Sequence, residues 1–266
     1  MQNILLADLS IILVEPSDTQ RKIISTLLHK ENVKNVFGVS NVKEAIDAID
    51  QQGGDVVVSS MYLEDGTGLD ILKSIKQSPI HCALPFMLVS SESSAQKLEE
   101  FKQAGVAAIL PKPFSTEHLS RALKTSLDLI NTEELDLNLF DVRQVRVLLV
   151  DDSKLARNHI NRVLKGLGIE QIIEAENGAM ALTILKENTF DLVVTDYNMP
   201  EMDGRELSEF IRFNTETSHL PIIMVTSESV DSLHMTNIHQ AGVNALCDKP
   251  FEVEQVKMLL SSLLNE

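Results

Sequence analysis

The sequence predicts two consecutive α/β domains, each with a five-stranded parallel sheet between layers of helices. Three observations lead to this prediction: a long internal repeat, the alternation of short apolar runs with amphipathic segments, and acidic side chains at the ends of the runs. The 266 residues suffice for two domains of ordinary size, each able to bury a hydrophobic core.

The internal repeat relates the two halves of the chain by a shift of 136 residues. The segments VLLVDDS, FDLVVTDYNMPEMDG and IIMVTSES of the second half correspond to IILVEPS, GDVVVSSMYLEDGTG and FMLVSSES of the first half. The segment KPF also recurs, at a shift of 137, because the second half contains one additional residue. A repeat of this length indicates two domains of one fold.

In the second half, five β-rich runs alternate with five amphipathic segments. We predict strands at VRVLLVD, QIIEA, FDLVVTD, PIIMVTS and NALCD. We predict one helix after Ser153, which can cap it, and four more at GAMALTILKEN, GRELSEFIRF, VDSLHMTNIHQAG and VEQVKMLLSSLL. This alternation implies βα units, and therefore a parallel sheet with helices on both faces.

The first half repeats this order from IILVE to a last helix near His118–Ile130. We therefore predict domains at residues 1–132 and 144–266. The connecting residues 133–143 are acidic and contain neither Gly nor Pro. They form either an extended linker or a continuation of the last helix, and we favour a mostly helical connection.

The composition excludes several classes of partner. Residues 1–136 carry 12 basic and 19 acidic side chains, and residues 137–266 carry 11 and 20, so both halves are acidic. Such surfaces repel phosphate backbones and anionic lipid, so we expect neither nucleic-acid nor membrane binding. No secretion signal or membrane-spanning run is visible. Cys82 and Cys247 lie beside apolar runs, which predicts buried thiols and a cytoplasmic protein.

Candidate chemistry lies at the ends of the predicted strands of the second half. Asp151 and Asp152 end the first strand, Asp196 the third and Thr226 the fourth, and Lys249 follows the fifth. Parallel sheets bind ligands at this edge. Three neighbouring carboxylates need a cation, and oxygen ligands suit Mg²⁺ or Mn²⁺. A carboxylate beside such an ion and a lysine is a plausible nucleophile toward phosphorus, forming an aspartyl phosphate.

On these segments, each half resembles a receiver domain of the bacterial two-component response regulator family, and the two copies cover nearly the whole chain. The resemblance implies a flavodoxin-like fold. It also implies that Asp196 accepts a phosphoryl group from a histidine kinase or a histidine phosphotransfer protein. Asp152 and Asp196 would bind Mg²⁺ through their side chains, Asp151 through water, and Asn198 through its backbone carbonyl.

The resemblance further assigns contacts with the phosphoryl group to Thr226 and Lys249, and a cis peptide to Lys249–Pro250. Thr226 would act in the conformational switch with the residue three before the lysine. The family usually has an aromatic residue there, whereas this chain has Leu246, which departs from the usual switch. Asn198 and Glu228 occupy the positions that tune self-dephosphorylation in the family.

The first half has lost most of these residues. The counterparts of the acids are Glu15, Pro16 and Ser60, while Ser90 and Lys112 replace Thr226 and Lys249. A serine hydroxyl is neutral and needs a base to attack phosphorus, and Pro16 offers no carboxylate. We therefore predict an inactive receiver in which Lys112 pairs with Glu15, and which docks a partner or the second copy.

Together these features predict a signalling switch with, at most, self-catalysed phosphorylation and dephosphorylation of Asp196. Output would pass to an unknown protein target or a homodimer through residues 230–264 of the second copy. One alternative is an aspartyl-phosphate hydrolase of the haloacid-dehalogenase type, which requires Asp151 as nucleophile. Others are the N-terminal part of a longer output enzyme, such as a diguanylate cyclase, and a pure scaffold.

Overall fold

The computed structural model describes residues 4–131, 133–135, 141–227 and 241–264. The chain divides into two compact units, Met1–Asn131 and Thr132–Glu266. Each unit contains a five-stranded sheet in which all strand pairs are parallel. Helices connect the strands, which confirms the predicted tandem α/β architecture.

In the first unit, five strands alternate with five helices. The strands are β1 (Ser10–Val14), β2 (Asn35–Val39), β3 (Val56–Ser60), β4 (Phe86–Ser90) and β5 (Ala108–Pro111). The helices are α1 (Asp18–Lys30), α2 (Val42–Gln52), α3 (Gly68–Gln77), α4 (Ala95–Gln103) and α5 (Thr116–Ile130). The strand order β2-β1-β3-β4-β5 is that of a flavodoxin-like sheet.

The second unit repeats this order. Its strands are β6 (Arg146–Val150), β7 (Gln171–Ala175), β8 (Leu192–Asp196), β9 (Ile222–Thr226) and β10 (Ala245–Asp248). Its described helices are α6 (Lys154–Gly166), α7 (Gly178–Glu187), α8 (Gly204–Phe213) and α9 (Val253–Leu264). The sheet order is β7-β6-β8-β9-β10. The helix predicted at VDSLHMTNIHQAG falls on residues 230–242, nearly all of which lie outside the described residues.

Burial explains why the central strands are continuous apolar runs. Every residue of β3, β4, β8 and β9 is buried, because helices cover both faces of a parallel sheet. The edge strands β2 and β7 instead contain exposed residues. In the first unit, Val58 and Val89 of the sheet belong to one core cluster with Ile24 of α1 and Leu119 of α5.

Local sequence sets where the helices begin. The Ser153 side chain accepts a hydrogen bond from the backbone N–H of Ala156 and caps α6, as predicted. Asp203 and Glu206 form a reciprocal capping box at the start of α8. Gly204 begins that helix so close to the Asp196 carbonyl oxygen that a Cβ atom would collide with it. The first turn of α8 therefore packs directly on the end of β8.

The connection between the copies is described in part. Helix α5 ends at Ile130, and residues 133–135 have no regular structure. Leu135 is buried, and its backbone N–H donates to the Leu167 carbonyl at 2.8 Å. A short 3-10 turn covers Val142–Gln144. The predicted domain boundaries and helical linker stay predictions, since residues 136–140 lie outside the described part. Among the described helices, none combines the length and apolarity needed to cross a membrane.

Candidate functional site

The strand ends of the second unit bring the predicted site residues to one edge of the sheet. Asp151 and Asp152 follow β6, Asp196 is the last residue of β8, and Thr226 is the last residue of β9. Lys249 follows β10, and its backbone N–H donates to the Thr226 carbonyl at 2.7 Å. Since β6, β8, β9 and β10 are consecutive neighbours in the sheet, their carboxyl ends lie side by side.

The Lys249 ammonium joins two of the three acids. Its Nζ donates to Asp196 Oδ2 at 2.8 Å and to Asp151 Oδ2 at 3.0 Å. All three side chains are at most 3% exposed. Burial by itself would lower the pKa of Lys249, but the charges of Asp196 and Asp151 outweigh it and the pKa is raised. The lysine therefore stays charged and compensates the two buried carboxylates.

Asp151, Asp152 and Asp196 form an acidic cluster, in which one carboxylate oxygen of each lies within 4.8 Å of the others. Asp151 and Asp196 are buried, whereas Asp152 is exposed. Burial raises the pKa of Asp151 to about 6; Lys249 opposes this shift and the charge of Asp196 adds to it. The three negative charges of these carboxylates exceed the single positive charge of the Lys249 ammonium. This oxygen-rich donor set, with one exposed member, fits a hard divalent cation that keeps some of its waters.

Backbone contacts hold these acids in place. The second Asp151 oxygen, Oδ1, accepts the Ser153 backbone N–H at 2.8 Å. The Thr195 hydroxyl donates to the Asp196 carbonyl at 3.1 Å, and the Gly204 N–H donates to the Tyr197 carbonyl at 2.9 Å. These hydrogen bonds restrain the turn after β6 and the end of β8, which favours a preorganised site.

The remaining predicted positions surround this cluster. Asn198 is exposed, two residues beyond Asp196, and Leu246 of β10 is half-buried against the core of the second unit. Glu228 lies outside the described residues. The Lys249–Pro250 peptide is cis, as the resemblance implies, and so is Lys112–Pro113 of the first unit.

The corresponding place in the first unit is closed by protein groups. Glu15 Oε2 accepts a short hydrogen bond from the Ser60 hydroxyl and pairs with Lys112 Nζ at 2.9 Å. The predicted Lys112–Glu15 ion pair is thus confirmed. Burial opposes ionisation of Glu15, but hydrogen bonds from Ser60, Lys112 and the Ser17 backbone outweigh it, and the pKa of Glu15 lies below its usual value. One acid faces one ammonium, so no cation is needed for charge balance.

Pro16 and Ser90 also distinguish this place in the first unit from the acidic cluster of the second unit. Pro16 stands at the position of Asp152 and brings no ligand oxygen on its side chain. The Ser90 hydroxyl accepts the Glu92 backbone N–H at 3.0 Å. Within the described residues of the first unit, no three acidic, histidine or cysteine side chains lie close enough together to hold a metal ion.

Comparison with known proteins identifies the repeated fold. The model of the response regulator receiver domain matches residues 11–124 and 147–261. The chain belongs to the response regulator receiver family. It contains two receiver domains in tandem and is a component of two-component signalling. This membership favours the receiver interpretation over the hydrolase alternative, whose nucleophile would be Asp151.

Curated relatives include chemotaxis proteins that match slightly less than half of this chain. The chain is 38% identical over 123 residues to chemotaxis protein CheY-3 of Vibrio cholerae serotype O1, covering 46% of this chain and 94% of the relative. It is 38% identical over 121 residues to chemotaxis protein CheY of Pseudomonas aeruginosa, covering 46% and 97%. A solved two-component response regulator/GGDEF domain protein aligns over 96% of this chain and 99% of its own, at 25% identity and a TM-score of 0.41. A TM-score of that size does not bear on function.

Two groups of contacts were not predicted from the sequence. In the first receiver, Tyr62, Glu92 and Lys97 form a bridge: the Tyr62 hydroxyl donates to Glu92 at 2.9 Å, and Lys97 Nζ donates to Tyr62 at 2.7 Å and to Glu92 at 2.9 Å. In the repeat, Tyr62 and Glu92 correspond to Asn198 and Glu228. This correspondence is the sequence signal that could have pointed to the bridge.

The second group lies in the second receiver, where Arg157 of α6 is buried and donates to the Asp151 carbonyl at 2.6 Å.

Proposed function

We propose that the second receiver accepts a phosphoryl group on Asp196 and that the first receiver is an unphosphorylated docking module. One observation carries this proposal: a buried lysine bridges two carboxylates of a three-acid cluster in the second receiver, whereas the first receiver has a closed Glu15–Ser60–Lys112 set. The two domains share a fold, so this difference in side chains separates their chemistry.

Asp151, Asp152 and Asp196 would hold Mg²⁺, together with the backbone carbonyl of Asn198. The fit rests on the shared proximity of the three carboxylates and on their excess charge. When bound, the ion stabilises negative charge on the transferring phosphoryl oxygens. The protein side chains supply the nucleophile, the second cation and a hydrogen-bond donor.

In the transfer step, a carboxylate oxygen of Asp196 attacks the phosphorus of a phosphohistidine on the donor protein. An O–P bond forms as the N–P bond breaks, and the leaving imidazole nitrogen keeps the electron pair and takes up a proton. Lys249 pairs with a phosphoryl oxygen, and the Thr226 hydroxyl donates a hydrogen bond to another. In this proposal the donor is a histidine kinase or a histidine phosphotransfer protein, the usual partners of this family.

Reversal requires water to attack the same phosphorus. We assign this hydrolysis to Asn198 and Glu228, because the positions two after the acceptor and two after Thr226 tune self-dephosphorylation in the family. Phosphorylation would change protein contacts through Thr226 and Leu246, with a protein target or a second copy of this chain as the receiver of the signal. Leu246 is an aliphatic residue packed on the core, so its movement would be smaller than that of a swinging aromatic ring.

The first receiver cannot follow the same path. Ser60 is a neutral hydroxyl whose hydrogen bond goes to Glu15, and the pKa of Glu15 is lowered, so this carboxylate is a weak base for activating it. The Tyr62–Glu92–Lys97 bridge ties the loop after β3 to the loop after β4. Both features favour one fixed surface, which suits a docking role.

Intact-mass measurement tests the proposal on the full chain after treatment with acetyl phosphate and Mg²⁺. Wild type should gain the mass of one phosphoryl group, Asp196→Asn should gain none, and Ser60→Ala should match wild type. A wild type that takes up no phosphoryl group from any donor would overturn the proposal. Label that survives in Asp196→Asn would assign the chemistry to another residue, with Asp151 and Ser60 tested next.

A further inference from the structure

Arg157 contacts the turn that carries Asp151 and Asp152, two of the three clustered acids. It is 5% exposed and projects from α6. Its Nη1 donates to the Asp151 carbonyl at 2.6 Å, its Nε to Glu174 at 3.2 Å, and its Nη2 to Glu176 at 3.1 Å. One guanidinium therefore joins the β6–α6 turn to the end of β7.

The partners of Arg157 are themselves held. Asn161, one helical turn further along α6, donates to the other oxygen of Glu174 at 2.6 Å. The backbone N–H of Asp151 donates to the Ala175 carbonyl at 3.2 Å, between the two glutamates. A planar guanidinium fixes several oxygen acceptors in one geometry, which a lysine cannot do. The main chain of Asp151 is thus restrained on both its N–H and its carbonyl.

The first receiver supplies an internal comparison. Its counterpart Arg21 keeps the short bond to the backbone carbonyl of Glu15, but the counterparts of Glu174 and Glu176 are Gly38 and Ser40. The guanidinium of Arg21 pairs instead with Asp18 of its own helix, and its side chain is 22% exposed. The receiver that lost its acid cluster has therefore also lost both acids that hold this arginine.

We propose that Arg157, held by Glu174 and Glu176, is a positioning residue for the phosphoryl-acceptor site of the second receiver. It orients the turn at residues 151–153, so that Asp151 and Asp152 present their carboxylates to a divalent cation together with Asp196. Arg157 touches neither the cation nor the phosphoryl group in this role. The inference rests on the proposed function, since it concerns the metal affinity of that same site.

In this role Arg157 acts on the geometry of the metal ligands rather than on their charge. A small cation demands oxygen ligands in a narrow range of positions, and two of the three acids that would hold it, Asp152 directly and Asp151 through water, come from one short turn. Residues that hydrogen-bond to metal ligands and orient them typically lower the metal affinity by about 10–100-fold when they are removed. Because Arg157 binds the main chain of a ligand residue, we expect a loss near the lower end, about tenfold.

The test is a titration of the full chain with Mg²⁺ alone, followed by the NMR signals of the Asp152 and Lys249 amides. Arg157→Ala should raise the Kd for Mg²⁺ about tenfold, and Arg157→Lys should recover only part of the affinity. Arg21→Ala is the matched control, because it removes the same carbonyl bond from a receiver without the acid cluster. It should leave the Kd for Mg²⁺ unchanged.

A role in stability alone would move the unfolding midpoint of Arg157→Ala but not its affinity for Mg²⁺. A folded Arg157→Ala with a Kd within twofold of wild type therefore overturns the inference. If that variant does not fold, the double variant Glu174→Gln/Glu176→Gln decides, because it keeps the arginine and removes the charges that hold it. A Kd raised at least threefold supports the inference, and a smaller change overturns it. Wild-type protein that binds no Mg²⁺ overturns the proposed function as well.

Discussion

Replacing Lys249 and its repeat counterpart Lys112 by methionine gives a matched pair of perturbations, one in each receiver. Lys249→Met removes the ammonium that joins Asp151 and Asp196, and Lys112→Met removes the ammonium beside Glu15. Methionine keeps the length and most of the volume of the side chain. The two variants therefore differ mainly in the number of carboxylates that are left without a cation, two in Lys249→Met and one in Lys112→Met.

The structure predicts a larger loss of stability in the second receiver. Lys249 is 3% exposed and its loss leaves two buried carboxylates facing each other without a cation, which should cost about 3–5 kcal/mol of unfolding free energy. Lys112 is 25% exposed and pairs with one acid, which keeps its bonds from Ser60 and Ser17. Its loss should cost about 1–2 kcal/mol.

The effect of Lys249→Met should depend on pH and on Mg²⁺. The Lys249 charge holds the pKa of Asp151 down, so removing the ammonium raises that pKa further. The folded domain then binds this proton more tightly and loses stability as the pH rises. The loss should be smaller at pH 5 than at pH 7.5. Mg²⁺ at 100 times its Kd adds about 2.7 kcal/mol to the folded state and should restore part of the stability.

A urea titration of the full chain, read by pulsed hydrogen exchange on peptides from β3 and β8, separates the two receivers. The expected result is a shifted midpoint for β8 in Lys249→Met, a smaller shift for β3 in Lys112→Met, and recovery by Mg²⁺ in the first variant only. Equal shifts in the two receivers, or a β8 shift that does not depend on pH, would refute the electrostatic reasoning.

Three further predictions concern single contacts. Without Mg²⁺, the raised pKa of Asp151 stabilises the second receiver below about pH 4, and this contribution is lost as the pH rises through about 6. Asp151→Asn should therefore make it more stable at pH 7 in urea titrations. The lowered pKa of Glu15 has the opposite effect on stability. Its contribution stabilises the first receiver above pH 4.5, which is the pKa of this carboxyl group in the unfolded chain, and is lost at lower pH. Glu15→Gln should flatten its acid unfolding curve, measured by circular dichroism. Gly204→Ala places a methyl group against the Asp196 carbonyl, so we expect a loss of about 3 kcal/mol by thermal unfolding and slower labelling by acetyl phosphate.

The repeat and the strand pattern were sufficient to predict the fold. Buried parallel strands must be continuous apolar runs, so β3, β4, β8 and β9 are visible as such in the sequence. Parallel topology then places the strand ends at one edge, which is why Asp151, Asp196 and Lys249 could be predicted to meet. The exchange of Asp for Ser60 and Pro16 likewise identified the receiver that lost its acids.

Other contacts depend on distances that no spacing in the chain encodes. The bond from Arg157 to the Asp151 carbonyl, and its clamp to Glu174 and Glu176, join three elements whose side-chain directions are set only when α6 packs on the sheet. The same holds for the Tyr62–Glu92–Lys97 bridge, which links two loops and a helix.

The sequence by itself determined the tandem receiver fold and which receiver retains the acids, because periodicity and residue identity carry that information. The sequence also predicted the Lys112–Glu15 pair, but only the tertiary structure decided the full set of partners that balances each charge. In the second receiver one lysine serves two acids, and in the first Glu15 is satisfied by a serine and a lysine. Electrostatic balance depends on distance and burial, and both arise only when the strand ends are brought together.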